Sequence, residues 1–152
     1  MLVSQKTGVG SPLTNTSSLE VCICWSGFRR ICYLAYKPCP PGWTKINGRC
    51  FRYVAIPMTW ANAEKNCLSM GANLASVHNA YEYRRVQALI RAATCSCREA
   101  WLGGSDAQQE RTWLWSDGSP MRYTNWCRGE PNNYKGSQHC LQMNWTGKEN
   151  IT

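Results

Sequence analysis

Trp101–Trp126, WLGGSDAQQERTWLWSDGSPMRYTNW, is the stretch whose reading decides the fold. Its pattern is β-like and turn-rich. Trp101-Leu102-Gly103-Gly104 and Trp113 to Trp115 read as short strands, Asp117-Gly118-Ser119-Pro120 as a turn, and Tyr123 to Trp126 as a further strand. Upstream, the period is helical. Thr59 is placed to cap a helix in which Trp60, Ala63, Cys67 and Leu68 recur at helical spacing, and Gly71 stands where a left-handed terminator is expected. After the short apolar run Leu74 to Val77, Asn79 followed three residues later by Glu82 resembles a capping box. Tyr83, Val86 and Ile90 mark one face of this second helix. Arg49 to Ala55 reads as a strand, with Phe51 and Tyr53 at alternate positions and Pro57 closing it. Helices come first and strands later, so the class is α+β. Closely spaced tryptophans in strands pack in a core more often than they stack on sugars, so most of the four at 101, 113, 115 and 126 are expected inside.

The chain has 152 residues, enough for one domain with a real core. Ten cysteines and eight tryptophans, with only 17% charged residues, describe an aromatic core stapled by disulfides in an oxidising compartment. Zinc is the other use for clustered cysteines, but the spacing of Cys22, Cys24, Cys32 and Cys39 matches none of the usual zinc patterns. The formal charge of +8 comes mainly from scattered arginines, without a lysine-rich tail or a nucleic-acid motif, so no nucleic-acid partner is expected. No apolar run reaches the ~20 residues of a membrane span. Residues 1–18 are rich in Ser, Thr and Gly and do not follow a signal-peptide pattern. From Cys39-Pro40-Pro41-Gly42-Trp43 the character changes, which places a domain at 37–152 and leaves 1–36 as an N-terminal extension.

Enzyme chemistry is not expected. The two histidines, His78 and His139, come without a nucleophile elbow, a His-Glu-x-x-His helix or a phosphate-cradling glycine loop. His78 reads as a helix-boundary residue, and His139 as a loop residue rather than a transition-metal ligand. Glu130-Pro131-Asn132 points instead to binding. A carboxylate and a carboxamide flanking a proline can present two hard oxygens toward one point, which is what calcium collects. The same pair can serve a sugar, because a hydroxyl can give a lone pair to the metal, a proton to the carboxylate, and accept a proton from the amide.

Reading Cys39-Pro40-Pro41-Gly42-Trp43, Gly48-Arg49-Cys50-Phe51, Trp60-Ala61 to Cys67, and Gly71-Ala72-Asn73-Leu74-Ala75-Ser76-Val77, the chain resembles the C-type lectin-like domain. Trp101-Leu102-Gly103-Gly104, Trp113-Leu114-Trp115-Ser116-Asp117-Gly118 and Trp126-Cys127 continue the match in order, over residues 39 to about 147. The wording is most similar to small soluble fish lectins, a group that includes calcium-dependent type II antifreeze proteins. The resemblance implies two helices with a small antiparallel sheet and a long loop carrying the ligand site. It also implies a Cys39–Cys50 disulfide, and a bridge from Cys127 to Cys95 or Cys97 between which the sequence does not choose.

In the sugar-binding members the motif proline is cis and turns both flanking side chains to one side. Carried over, Glu130 and Asn132 are metal and carbohydrate ligands held by Pro131, and the order Glu-Pro-Asn goes with mannose-like and N-acetylglucosamine-like sugars. Gln138 stands where a glutamate is usual two residues before the cysteine matched by Cys140; it supplies an oxygen without a charge. The family's Trp-Asn-Asp motif, its last strands and the partners of Cys67 and Cys140 would lie beyond Thr152, so the calcium site is expected to be incomplete within 37–152. The resulting expectation is a secreted, calcium-dependent lectin of innate-defence type for mannose-like glycans, with oligomerisation for avidity. The alternative is a lectin-like domain that binds ice or protein.

Overall fold

The computed structural model describes residues 1–5, 21–23, 31–33 and 38–144. Cys24 and the expected boundary at Lys37 lie outside them. Strand β1 is Leu2–Gln5, and β2 (Val21–Ile23) pairs antiparallel with β3 (Ile31–Tyr33) as a separate ribbon. β4 (Thr44–Ile46) and β5 (Arg49–Tyr53) form a hairpin. Its two connecting residues, Asn47 and Gly48, both have positive φ, as a type I′ turn requires. The Cys39–Cys50 disulfide ties the approach to this hairpin to β5, with 5.6 Å between the Cα atoms.

Helix α1 spans Trp60–Ser69, and Thr59 caps it by accepting the Asn62 N–H. It ends in a Schellman motif: the Ala72 N–H reaches the Cys67 carbonyl and the Gly71 N–H the Leu68 carbonyl, with Gly71 at φ 66°. Ala63 and Cys67 are buried, whereas Leu68 is 59% exposed. Leu68 was expected on the inner face, but one residue past Cys67 a helix has turned by roughly 100° and faces water. β6 (Asn73–Leu74) follows, then α2 (Ala80–Thr94), which buries Val86 and Ile90. β7 (Ala100–Ser105), β8 (Leu114–Trp115) and β9 (Cys140–Met143) complete the order. Tyr123 to Trp126, expected as a strand, has no ladder partner and runs as irregular chain.

One sheet has the order β4-β5-β1-β6 and another β8-β7-β9. Residues 2–5, expected to belong to an extension outside the domain, therefore lie inside the larger sheet. β1 pairs antiparallel with β5 and β6. Leu2 joins the apolar cluster that holds Val86 and Ile90 of α2, while Val3 joins the one that holds Ala63 and Cys67 of α1. Alternate residues of a strand point to opposite faces, so these neighbours meet one helix each. The two sheets approach closely at β7. A Cβ on Gly103 would lie 2.6 Å from the Leu74 carbonyl oxygen and 2.7 Å from Ser116 Oγ, so only glycine fits there.

Two glutamates fasten the helices to the strands. Glu82 of α2 is 2% exposed; it accepts from Arg49 Nη2, Asn47 Nδ2 and the His78 N–H, each at 2.8 Å. The expected capping box is half formed: Asn79 accepts the Glu82 N–H, but the Glu82 carboxylate serves His78 and Arg49. Glu64 of α1 accepts the Leu74 N–H and Asn73 Nδ2 from β6, and Ser116 Oγ beyond β8.

Burial pushes the Glu82 carboxyl up, but hydrogen bonds from Asn47 and His78 and the Arg49 charge outweigh it and leave the pKa lowered. Because the folded-state value lies below the reference of 4.5, the stabilisation is complete above that pH and is lost as pH falls through the folded value. Glu82→Ala is predicted to destabilise by about 3 to 5 kcal/mol at pH 7, since it strands the largely buried Arg49 guanidinium, 12% exposed, and by less in acid. Urea denaturation of both proteins at pH 7 and pH 3 checks this; equal losses at the two pH values would contradict it.

Candidate functional site

Ser116 and Asp117 form the root of the long loop. Ser116 Oγ donates to Glu64, and Asp117 Oδ2 accepts from Ser76 Oγ at 2.7 Å, so the loop leaves β8 from a point gripped by both helix-side networks. Gly118 at φ 72° and the Ser119 N–H donated to Asp117 Oδ1 complete the expected turn. Farther along, the Trp113 and Trp126 rings meet with centroids 5.0 Å apart. The Glu130 N–H closes a turn on the Cys127 carbonyl, and the Glu130-Pro131 peptide is cis.

The loop brings together the three predicted ligands. Glu130 Oε1 accepts from Asn132 Nδ2 and Oε2 from the Asn132 N–H, both at 3.0 Å. Asn132 Oδ1 and Gln138 Oε1 both accept the Tyr134 N–H, at 2.8 and 3.1 Å. Hydrogen bonds thus hold one carboxylate and two carboxamides side by side on the surface. The donor set is all oxygen, which fits a hard dication, and carries one charge, which sets a low affinity.

Beside these groups lies a cavity of about 450 Å³ lined by Trp60, Trp101, Trp113, Trp115, Tyr123 and Trp126. Trp115 is buried, and the indoles of Trp60 and Trp101 donate to the Leu102 and Met58 carbonyls, as core residues should. Trp126 is 36% exposed, and the buried indole N–H groups of Trp113 and Trp115 meet no acceptor among the described residues.

The cysteines divide. Cys95 and Cys97 are exposed thiols, so the bridge implied from Cys127 to one of them is not formed; Cys95 instead ends α2 in a left-handed conformation. Cys39 is committed to Cys50, which removes it from a zinc quartet. Cys67 is a buried thiol pushed up to about 12, by burial first and then by the nearby Glu64 carboxylate. Cys140 is half-buried, and burial raises it too.

Three ligand-type residues escaped the sequence reading as a group. Asp106 is buried at the end of β7 and lies 3.1 Å from His139 Nδ1, with Glu110 3.8 Å from the same nitrogen. The Asp106 carboxylate, hydrogen-bonded to the imidazole, holds the His139 pKa above the usual histidine range. His78 lies at the edge of Trp115, with its ring near Ser76 and Ser119.

A cis Glu-Pro bond on a long loop, held over two antiparallel sheets and two helices, defines a C-type lectin-like domain. The chain belongs to the Lectin C-type domain family, whose model matches residues 56–151. It is 47% identical to Ladderlectin of Oncorhynchus mykiss over 107 residues, 70% of this chain and 56% of that protein. It is 41% identical to the galactose-specific lectin nattectin of Thalassophryne nattereri over 113 residues, 74% of this chain and 71% of nattectin. The chain thus spans little more than half the length of Ladderlectin. Among solved structures, herring type II antifreeze protein superposes with a TM-score of 0.64 at 36% identity, over 69% of this chain and 80% of that one. Domains of this family are binding modules without enzymatic activity. No helix among the described residues is long and apolar enough to cross a membrane.

Only thiolate reacts, so the cysteine environments predict labelling order. Iodoacetamide on the native protein at pH 8 should modify Cys95 and Cys97 long before Cys67, read by peptide mass spectrometry. Labelling of Cys67 at the same rate would contradict the burial assigned to it.

Proposed function

We propose that this chain binds calcium through Glu130, Asn132 and Gln138 and uses that site to hold neighbouring hydroxyls of a mannose-type or N-acetylglucosamine-type sugar. The observation that carries the reading is the hydrogen-bonded grouping of the three side chains, with Asn132 and Gln138 sharing one backbone N–H and Glu130 accepting from the Asn132 amide nitrogen. Bound calcium would supply a Lewis-acidic centre with positions open to hydroxyl oxygens. The chain's own groups do the rest. Glu130 accepts from Asn132 here, and a hydroxyl, being both donor and acceptor, can enter between them and leave neither unpaired. Gln138 adds an oxygen without charge, so calcium affinity belongs in the weak range of about 10⁻⁴ to 10⁻³ M. Single sites of this kind bind sugars weakly, so glycan surfaces would be held by several copies together. The setting proposed is extracellular glycan recognition of innate-defence type, in keeping with the cysteine content.

A lectin-like domain that binds ice or protein instead of sugar is the second reading. It is favoured by the neutral Gln138 and by the likeness to herring type II antifreeze protein.

The test is retention on mannose-agarose and galactose-agarose in millimolar calcium. Retention on mannose, release by EDTA and loss in Glu130→Gln are expected. Retention on galactose alone would overturn the mannose assignment, as the name of nattectin would lead one to check. Failure on both resins, with thermal hysteresis in solution, would replace sugar binding by ice binding.

A further inference from the structure

The outer face of α2 carries charge of one sign only. Its fifteen residues include three arginines, Arg84, Arg85 and Arg91, and a single acid, Glu82. Glu82 is buried and committed to Arg49, so it neutralises nothing on the outside. A helix turns by roughly 100° per residue, which sets the three arginines opposite the buried Glu82, Val86 and Ile90. All three are exposed. Arg84 and Arg91 stand nearly in line, about 10.5 Å apart along the axis, and Arg85 lies about 100° round from Arg84. The exposed Ala88 and Ala92 fall between these two sides, so short side chains form a floor and arginines its rims. Tyr81, 59% exposed, closes the same face at its N-terminal end.

A helix face that is merely solvated mixes both signs and gains from ion pairs three or four residues apart. Here those positions around each arginine hold neutral residues, apart from the buried Glu82. Among the described residues none of the three guanidiniums pairs with a carboxylate, and Arg91 Nη2 donates to Cys97 Sγ at 3.2 Å. The exposed Glu99 stands beyond the helix, next to Arg98, and offsets that charge instead.

We propose that this face binds a linear sulfated polysaccharide, without calcium and apart from Glu130, Asn132 and Gln138. A guanidinium presents a planar fork of donors that matches a tetrahedral oxyanion, and it is weakly hydrated, so little is lost on contact. Salt screens charges beyond about 8 Å at physiological ionic strength, so each arginine acts mainly on the anion it touches. A lone sulfate would therefore be held weakly, whereas a chain of sulfates engages both rims together. Tyr81 offers a ring face to a sugar of the same chain. The Cys39–Cys50 disulfide belongs to an oxidising compartment, where linear polyanions are sulfated polysaccharides rather than nucleic acids.

Heparin immobilised on a sensor surface, with the full chain passed over it in EDTA, tests this. Binding is expected to persist without calcium and to weaken by about tenfold in the triple variant Arg84→Gln, Arg85→Gln, Arg91→Gln. Glutamine keeps the helix propensity, and circular dichroism verifies the fold. A control with the same net charge, Arg52→Gln, Lys65→Gln, Arg122→Gln, removes three exposed cations from other elements and should weaken binding by less than about threefold. Glu130→Gln should leave heparin binding unchanged. Desulfated heparin should fail to compete. Equal weakening in the two triple variants would reduce the effect to net charge and overturn the proposal. Binding that needs calcium, competition by duplex DNA as strong as by heparin, or no binding at all would also overturn it.

Discussion

The Arg49–Glu82 ion pair is the joint on which the rest of the structure depends. Arg49 lies on β5 and Glu82 on α2, and the guanidinium also donates to Ser76 Oγ and to the Ser76 carbonyl at 2.8 and 2.9 Å. Ser76 passes the connection to Asp117 at the root of the ligand loop. One buried charge pair therefore fixes helix, hairpin and loop relative to each other. Such a pair adds little net stability over an apolar contact, because desolvation offsets the Coulomb attraction. Its value is geometric: a buried network with several fixed partners admits few alternative arrangements. The remaining open face of the guanidinium lies over the Phe51 ring, 4.8 Å from its centroid.

Glu64 does the same work from the other side. By holding the Leu74 N–H and Ser116 Oγ at once, it ties α1 to β6 and to the chain that leaves β8. Gly103 is the steric counterpart, since its missing side chain lets β7 approach Leu74 and Ser116 closely. The loop therefore starts from a rigid platform even though its ligand side chains are exposed. That division suits a binding site, where positioning comes from the scaffold and chemistry from the loop.

Local signals were legible in the sequence and long-range ones were not. Thr59, Gly71 and Asn79 act within a few residues, and each takes the role its type predicts. The Asn47-Gly48 turn was equally local and went unread. The strand at Leu2–Gln5 pairs with residues about fifty positions away and is covered on both faces, so it has no alternation to betray it. Asp106 and His139 are 33 positions apart, and neither carries a motif. Glu82 reads locally as a helix cap, while most of its partners lie on other elements. Cys95 and Cys97 show the limit of a carried-over pairing: they are thiols on the surface beyond α2.

The central claim is that Glu130, Asn132 and Gln138 form one site shared by an ion and a sugar. If calcium and sugar occupy the same site cooperatively, each must tighten the other by the same factor. Calcium titrated calorimetrically with and without saturating methyl mannoside measures this directly. The account predicts a tighter calcium isotherm in the presence of the mannoside. Superimposable isotherms would contradict it, because the ion and the sugar would then have no common ligands.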